Sequence, residues 1–230
     1  MKVRVGVLDF TCSDPGELIE CAKLIDRGGI IIFPTDTVYG IGCDPSNESA
    51  VRKLYNLKNR PLTKTLPLLT FSQIMVSEVA QVSVPARKLM DLFWPGQLTI
   101  ILKSNEVCKN LGFSKYVFDG LTQSIALRVP GNECIKKVIE ATKTKFLVGT
   151  SANLSRYPSS NKFNQLDSEL VSRCDAVIHD ERLKLKEQSS TTKTGGESTI
   201  IDLTDEQNPR IIRQGIVPKD KIIEVLKIAS

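Results

Sequence analysis

The segment Gly29-Ile30-Ile31-Ile32-Phe33-Pro34-Thr35-Asp36-Thr37-Val38-Tyr39-Gly40 decides the fold class. Ile30 to Phe33 is a run of β-branched and aromatic side chains too short for a helix, so it reads as a strand covered on both faces. Pro34 ends it by removing a ladder donor. Past that proline the chemistry changes: Thr35, Asp36, Thr37 and Tyr39 bring hydroxyls, a carboxylate and a phenol in front of Gly40. Loops after buried strands are where sites are built, because the sheet fixes the backbone while the side chains stay accessible. These groups suit a small polar ligand; the alternative is an ordinary turn held by Thr and Asp side chains.

Upstream, Asp14-Pro15-Gly16-Glu17 combines an acidic N-cap, proline at the first helical position and a glutamate three residues on. The helix it predicts buries Leu18, Cys21, Ala22 and Ile25 and stops at Gly28-Gly29. Downstream, a loop through Tyr39 to Pro45 leads to a helix capped by Ser46 or Asn47. Its apolar face is Ala50, Val51, Leu54 and Leu57, and it ends near Lys58-Asn59-Arg60-Pro61. Leu66 to Leu69 reads as a buried strand, Ser72 to Ala80 and Ser83 to Phe93 as helices, and Trp94-Pro95-Gly96-Gln97 as the turn into strand Leu98 to Lys103. Further strands are predicted over Ser124 to Arg128, Phe146 to Thr150, Ala176 to His179, Ser198 to Leu203 and Arg210 to Arg213. Helices are predicted over Glu133 to Ala141, Gln165 to Arg173 and Pro218 to Ile228. Such alternation predicts an α/β fold with a twisted, mostly mixed sheet and flanking helices. The polar stretch Lys184 to Glu197 is expected to be a mobile loop that closes over bound ligand.

The chain has 230 residues, is 41% hydrophobic and carries a formal charge of +5, which fits one compact globular domain and excludes disorder, collagen and coiled coil. No run approaches the ~20 apolar residues of a membrane span, and MKVRVGVLDF lacks a secretion-type apolar stretch, so a cytoplasmic protein with no membrane role is expected. The positive charge is compatible with nucleotides or RNA but is not gathered into a basic run. Six scattered cysteines without a CxxC pair, and one histidine, His179, make a zinc site improbable. The cysteines are expected to be buried or free thiols rather than a disulfide framework, and His179, ending an apolar strand, to be structural.

Two further loops carry candidate chemistry. In Lys58-Asn59-Arg60-Pro61, two cations one residue apart either complement a helix C-terminus or clamp a phosphate, with lysine as a compact charge and arginine as a planar fork. In Gly149-Thr150-Ser151-Ala152-Asn153-Leu154-Ser155, small residues let backbone amides approach an anion while Ser and Asn fix oxygens. No Walker loop, dinucleotide fingerprint or GxSxG elbow occurs.

Taken in order, these segments resemble the threonylcarbamoyl-AMP synthase (YrdC-like) family. The resemblance rests on Pro34-Thr35-Asp36-Thr37-Val38-Tyr39-Gly40, Lys58-Asn59-Arg60, Trp94-Pro95-Gly96, Ala126-Leu127-Arg128-Val129-Pro130, Ser151-Ala152-Asn153, Ser198-Thr199 and Ile212-Arg213-x-Gly215. It implies a YrdC-like catalytic domain over residues 1–213 around a large concave basic cavity, followed by a short helical tail over 214–230. It also implies an enzyme, a nucleotidyltransferase that joins L-threonine, bicarbonate or CO2, and ATP into threonylcarbamoyl-AMP and pyrophosphate. The product would feed N6-threonylcarbamoyladenosine formation in tRNA through a separate transferase complex.

On that resemblance Lys58 and Arg60 are the expected catalytic cations. Thr35, Tyr39, Arg60, Arg128 and Ser198 are expected around threonine, and Lys58, Ser124, Ser151, Asn153 and Arg213 around ATP. Magnesium is expected to arrive with ATP, without direct protein ligands. Two departures stand out: no histidine lies in Thr65 to Thr70, and Gln97 replaces a common proline; neither is expected to touch the charged core of the site. The alternatives are a non-catalytic RNA-binding module, with weak RNA contact, and a carbamoyl-transfer domain like that of hydrogenase-maturation relatives. Cations set singly among hydroxyls, with aromatics at 6%, do not favour the first; the second is not expected, because the acylphosphatase-like and zinc-finger regions of those relatives are not found in this sequence.

Overall fold

A computed structural model describes residues 6–155, 157–181 and 196–227. Among these residues eleven strands run β1 (Leu8–Thr11), β2 (Ile31–Phe33), β3 (Gly40–Gly42), β4 (Leu68–Thr70), β5 (Leu98–Lys103), β6 (Ser124–Arg128), β7 (Phe146–Val148), β8 (Thr150–Ser151), β9 (Ala176–His179), β10 (Thr199–Asp202) and β11 (Arg210–Arg213). Between them lie α1 (Pro15–Asp26), α2 (Glu48–Leu57), α3 (Gln73–Val79), α4 (Val84–Phe93), α5 (Glu106–Asn110), α6 (Glu133–Ala141) and α7 (Ser168–Ser172), with a terminal helix Lys219–Lys227.

The fold is mixed α/β, as its alternation predicts, but the strands form two sheets where one was expected. The first has order β1-β9-β2-β3-β8 and the second β11-β10-β5-β6-β4-β7, each containing parallel and antiparallel pairs. The chain crosses between them at Gly149, which alone separates β7 from β8. Strand β2 is covered on both faces, as its run of apolar residues implies: Ile31 and Phe33 pack with α1 and α6, while Ile32 faces the larger core with α2. All three are fully buried, each contributing about 2 kcal/mol of hydrophobic free energy.

Four expectations need correction. Gly40–Gly42 is a strand, not loop; its glycines serve close packing. A Cβ at Gly42 would stand 1.7 Å from the Val148 carbonyl oxygen and one at Gly40 2.4 Å from the Phe33 ring, so only glycine lets β3 lie there. Leu8–Thr11 and Glu106–Asn110 were not anticipated, because each is short and takes its order from neighbours: β1 pairs in parallel with β9, and Asn105 caps α5 while holding the Glu78 carbonyl. The helix expected over Gln165 to Arg173 is a 3-10 turn, Phe163–Gln165, and the shorter α7 capped by Asp167.

The fourth correction concerns the thiols. Cys12 and Cys134 form a disulfide, because packing of α1 on α6 brings residues 122 apart in sequence to a Cα separation of 5.3 Å. Cys21, Cys43, Cys108 and Cys174 are free and buried. His179 ends β9, its Nε2 lying 2.8 Å from Asp9 Oδ1 and its ring against Phe163. After Arg213 the chain sends Val217 and Ile222 into the larger core, the terminal helix packing on α4. The stretch expected to close over ligand, Lys184 to Glu197, lies outside the described residues except for Gly196 and Glu197. No described helix is long and apolar enough to cross a membrane.

Candidate functional site

Both sheets contribute to one cavity of about 1230 Å³. Nine of the ten residues singled out from sequence line it: Thr35, Tyr39, Lys58, Arg60, Arg128, Ser151, Asn153, Ser198 and Arg213. Ser124 does not. It stands on β6 four residues from Arg128, ~13 Å along the strand, with its hydroxyl 2.6 Å from that of Thr122.

The loop after β2 is fixed from within and from below. Thr35 Oγ1 donates to the Val38 carbonyl at 2.6 Å and accepts the Thr37 amide at 3.1 Å, so this hydroxyl shapes the loop first. Beneath it, Arg128 is buried and its fork is largely consumed. Nη2 donates to Asp36 Oδ1 at 2.7 Å, Nη1 to Thr37 Oγ1 at 3.1 Å and Nε to the Gly96 carbonyl at 2.8 Å. Burial pushes the Arg128 pKa down and the Asp36 charge opposes it. The Asp36 carboxylate also accepts the Gly131 amide at 2.8 Å, and its backbone carbonyl accepts Gln97 Nε2 at 3.0 Å. Gln97, expected to stand clear of the charged core, therefore bonds directly to the loop. Arg128, expected at threonine, spends three of its nitrogens on the cavity's own frame.

Lys58 caps the end of α2 and is 2% exposed. Its Nζ donates to the carbonyls of Ser151 and Asn153, the latter at 2.6 Å, and approaches Asn153 Oδ1 at 3.4 Å. Its own carbonyl accepts the Ser155 amide at 2.9 Å. Lys58 thus pins the Ser151–Asn153 turn to the helix end. Burial, with help from Arg60, pulls its pKa down to about 8, against the charge of Glu197.

Arg60 differs. It holds its own loop, Nε donating to the Lys64 carbonyl at 3.2 Å and Nη2 to that of Thr65 at 2.9 Å, and pairs with no carboxylate among the described residues. On the opposite wall Arg213 donates through Nε and Nη2 to the Ser198 carbonyl at 3.1 and 2.9 Å, and through Nη1 to Glu197. Ser198 Oγ lies 2.8 Å from Thr99 Oγ1. The described lining contains five cations, Lys58, Arg60, Lys64, Arg128 and Arg213, and one carboxylate, Glu197. A polyanion entering this space meets net positive potential from several elements at once.

The family model described as Telomere recombination (Sua5, YciO and YrdC proteins) matches residues 23–215. The chain belongs to the Sua5/YciO/YrdC family. Among curated relatives, threonylcarbamoyl-AMP synthase of Pyrococcus abyssi is 32% identical over 209 residues, which span 89% of this chain and 56% of that protein. The enzyme of the same name from Vibrio campbellii is 30% identical over 84% of this chain and 96% of its own length. The structure of Pyrococcus abyssi Sua5 complexed with L-threonine superposes with a TM-score of 0.76 at 28% identity, covering 95% of this chain and 60% of that one. The chain thus spans just over half the length of the Pyrococcus relative.

For this family member, the cavity offers three kinds of contact. Exposed cations attract anionic groups, Ser and Thr hydroxyls ring the walls, and apolar Ile200 and Ile212 line the side formed by β10 and β11. Sequence reasoning missed Gln97, Lys64 and Glu197 as contributors, and it missed the tie between Asp36 and Arg128. Asp36 sat in view inside the quoted loop, but its ion pair with Arg128 joins residues 92 apart and has no local signal. Glu197 was legible only as the end of a polar stretch.

Proposed function

We propose that the protein is an L-threonylcarbamoyladenylate synthase. The observation that carries this reading is the convergence of Lys58, Arg60, Ser151 and Asn153, from α2 and β8, on a cavity that the loop after β2 also lines. The names of the curated relatives and the threonine held by the Pyrococcus abyssi structure support it. In the reaction the threonine ammonium first gives up a proton; the amine nitrogen then forms a bond to CO2 and loses a second proton, giving a carbamate. A carbamate oxygen then bonds to the α-phosphorus of ATP as the bond to pyrophosphate breaks. Reactants and leaving group are anionic, so the charges of Arg60 and Lys64, which pair with no carboxylate among the described residues, are what this step needs. The turn that Lys58 clamps presents Ser151 and Asn153 to phosphate oxygens, Thr35 and Tyr39 border the amino acid, and Ser198 lies across from them. Ser124, off the lining, has no part.

Among the described residues no group of three or more metal-ligating side chains exists, and the lining carboxylate is engaged by Arg213. The hydroxyls and amide of this lining fit magnesium that arrives on ATP phosphates, and the ion would neutralise phosphate charge there. The adenylate would pass to a separate transferase acting on tRNA. Pyrophosphate release measured with the full chain should require ATP, threonine and bicarbonate together. Release independent of threonine would indicate a different carbamoyl chemistry, and RNA binding without release a non-catalytic module.

A further inference from the structure

An amino acid arrives as a zwitterion, and the cavity's charge is lopsided. Exposed cations are plentiful for a carboxylate, whereas an ammonium finds one anionic group in the described lining, Glu197. That side chain is partly exposed, at 29%, and is held from behind by Arg213, whose other nitrogens are spent on the Ser198 carbonyl. Its charge also reaches Lys58 across the cavity, supporting the lysine proton. A carboxylate has two oxygens and about four acceptor directions, so one arginine contact leaves room for a second donor.

We propose that Glu197 binds the α-ammonium of the amino-acid substrate and that Arg213 positions it for this, making Glu197 the residue that selects an amine over its isosteres. This rests on the threonine-dependent reading above and adds the group that recognises the amine. The chemistry is a charge-assisted N–H···O contact, lost when either partner becomes neutral.

Titration calorimetry on the full chain tests it with two ligands, L-threonine and its analogue carrying a hydroxyl in place of the α-ammonium. Wild type should prefer threonine by about ten- to hundredfold, the size of one hydrogen bond to a charged group. Glu197→Gln should bring the two affinities close together, and Glu197→Asp should restore part of the preference. A Glu197→Gln protein that keeps the wild-type preference overturns the assignment. So does a wild type that binds both ligands equally, a result independent of whether any variant folds. A wild type that binds neither ligand and releases no pyrophosphate overturns the synthase reading as well.

Discussion

Lys58 and Arg60 stand two residues apart, yet their side chains occupy different physical states. The ammonium of Lys58 is buried and directed at backbone carbonyls 93 and 95 residues away, whereas the guanidinium of Arg60 bonds two carbonyls of its own loop, pairs with no carboxylate among the described residues and lines the cavity. One cation builds the wall; the other is left for the ligand. A buried charge is tolerated only where donors and acceptors match, and that requirement turns a cation into a structural tie. Adjacent positive charges in sequence are therefore not a single functional unit.

The largest effect that would sharpen this contrast belongs to the other buried cation. Asp36→Ala leaves Arg128 without its carboxylate and should cost about 3–5 kcal/mol of stability, read by urea unfolding. A loss under 1 kcal/mol would mean that solvent, not Asp36, satisfies Arg128. Next, Lys58→Ala and Arg60→Ala should each slow pyrophosphate release by about two to three decades. Only Lys58→Ala should also lower the unfolding midpoint, since two carbonyls lose their donor at ~1–3 kcal/mol each. Equal midpoints for the two variants would erase the distinction.

The smallest effect is in pH. The Lys58 pKa of about 8 lies below the usual 10.5 chiefly through burial. Below pH 8 both folded and unfolded chains hold the proton and the cost of burying it is fully present. Between about 8 and 10.5 the unfolded chain binds a proton that the folded chain has released, so the Lys58 contribution to stability rises across that window. The stability difference between wild type and Lys58→Met should move toward wild type from pH 8 to pH 10. Over the same range the rate should fall as the positive charge leaves, and Lys58→Arg should lack that alkaline limb. A pH-independent difference would show that Lys58 is more solvated than its 2% exposure implies.

Much of the fold was legible because its signals are local. Asp14 and the pair Ser46-Asn47 announced helices through their capping side chains, and Ile30 to Phe33 announced a doubly covered strand through its unbroken apolar run. Gly40–Gly42 was not legible, since glycine marks both a flexible loop and a place where two backbones nearly touch. Nine of ten candidate site residues reached the cavity because each lies beside a strand end or helix end that faces it; Ser124 shares the Arg128 face of β6 but sits too far along it. Glu197 escaped notice because a lone acid in a polar stretch has no meaning until its surroundings are known.

By itself the amino-acid order determined which stretches become helices and strands, where they stop, and which loops carry hydroxyls and cations, because capping, turn chemistry and hydrophobic period act over a few residues. Only the tertiary structure decided that two sheets share one cavity, that Arg128 is spent on Asp36, that Cys12 meets Cys134, and that Lys58 is walled in while Arg60 is open. Burial and charge partnership depend on groups separated by tens to more than a hundred residues, and a side chain's chemistry is set by those neighbours rather than by its place in the chain.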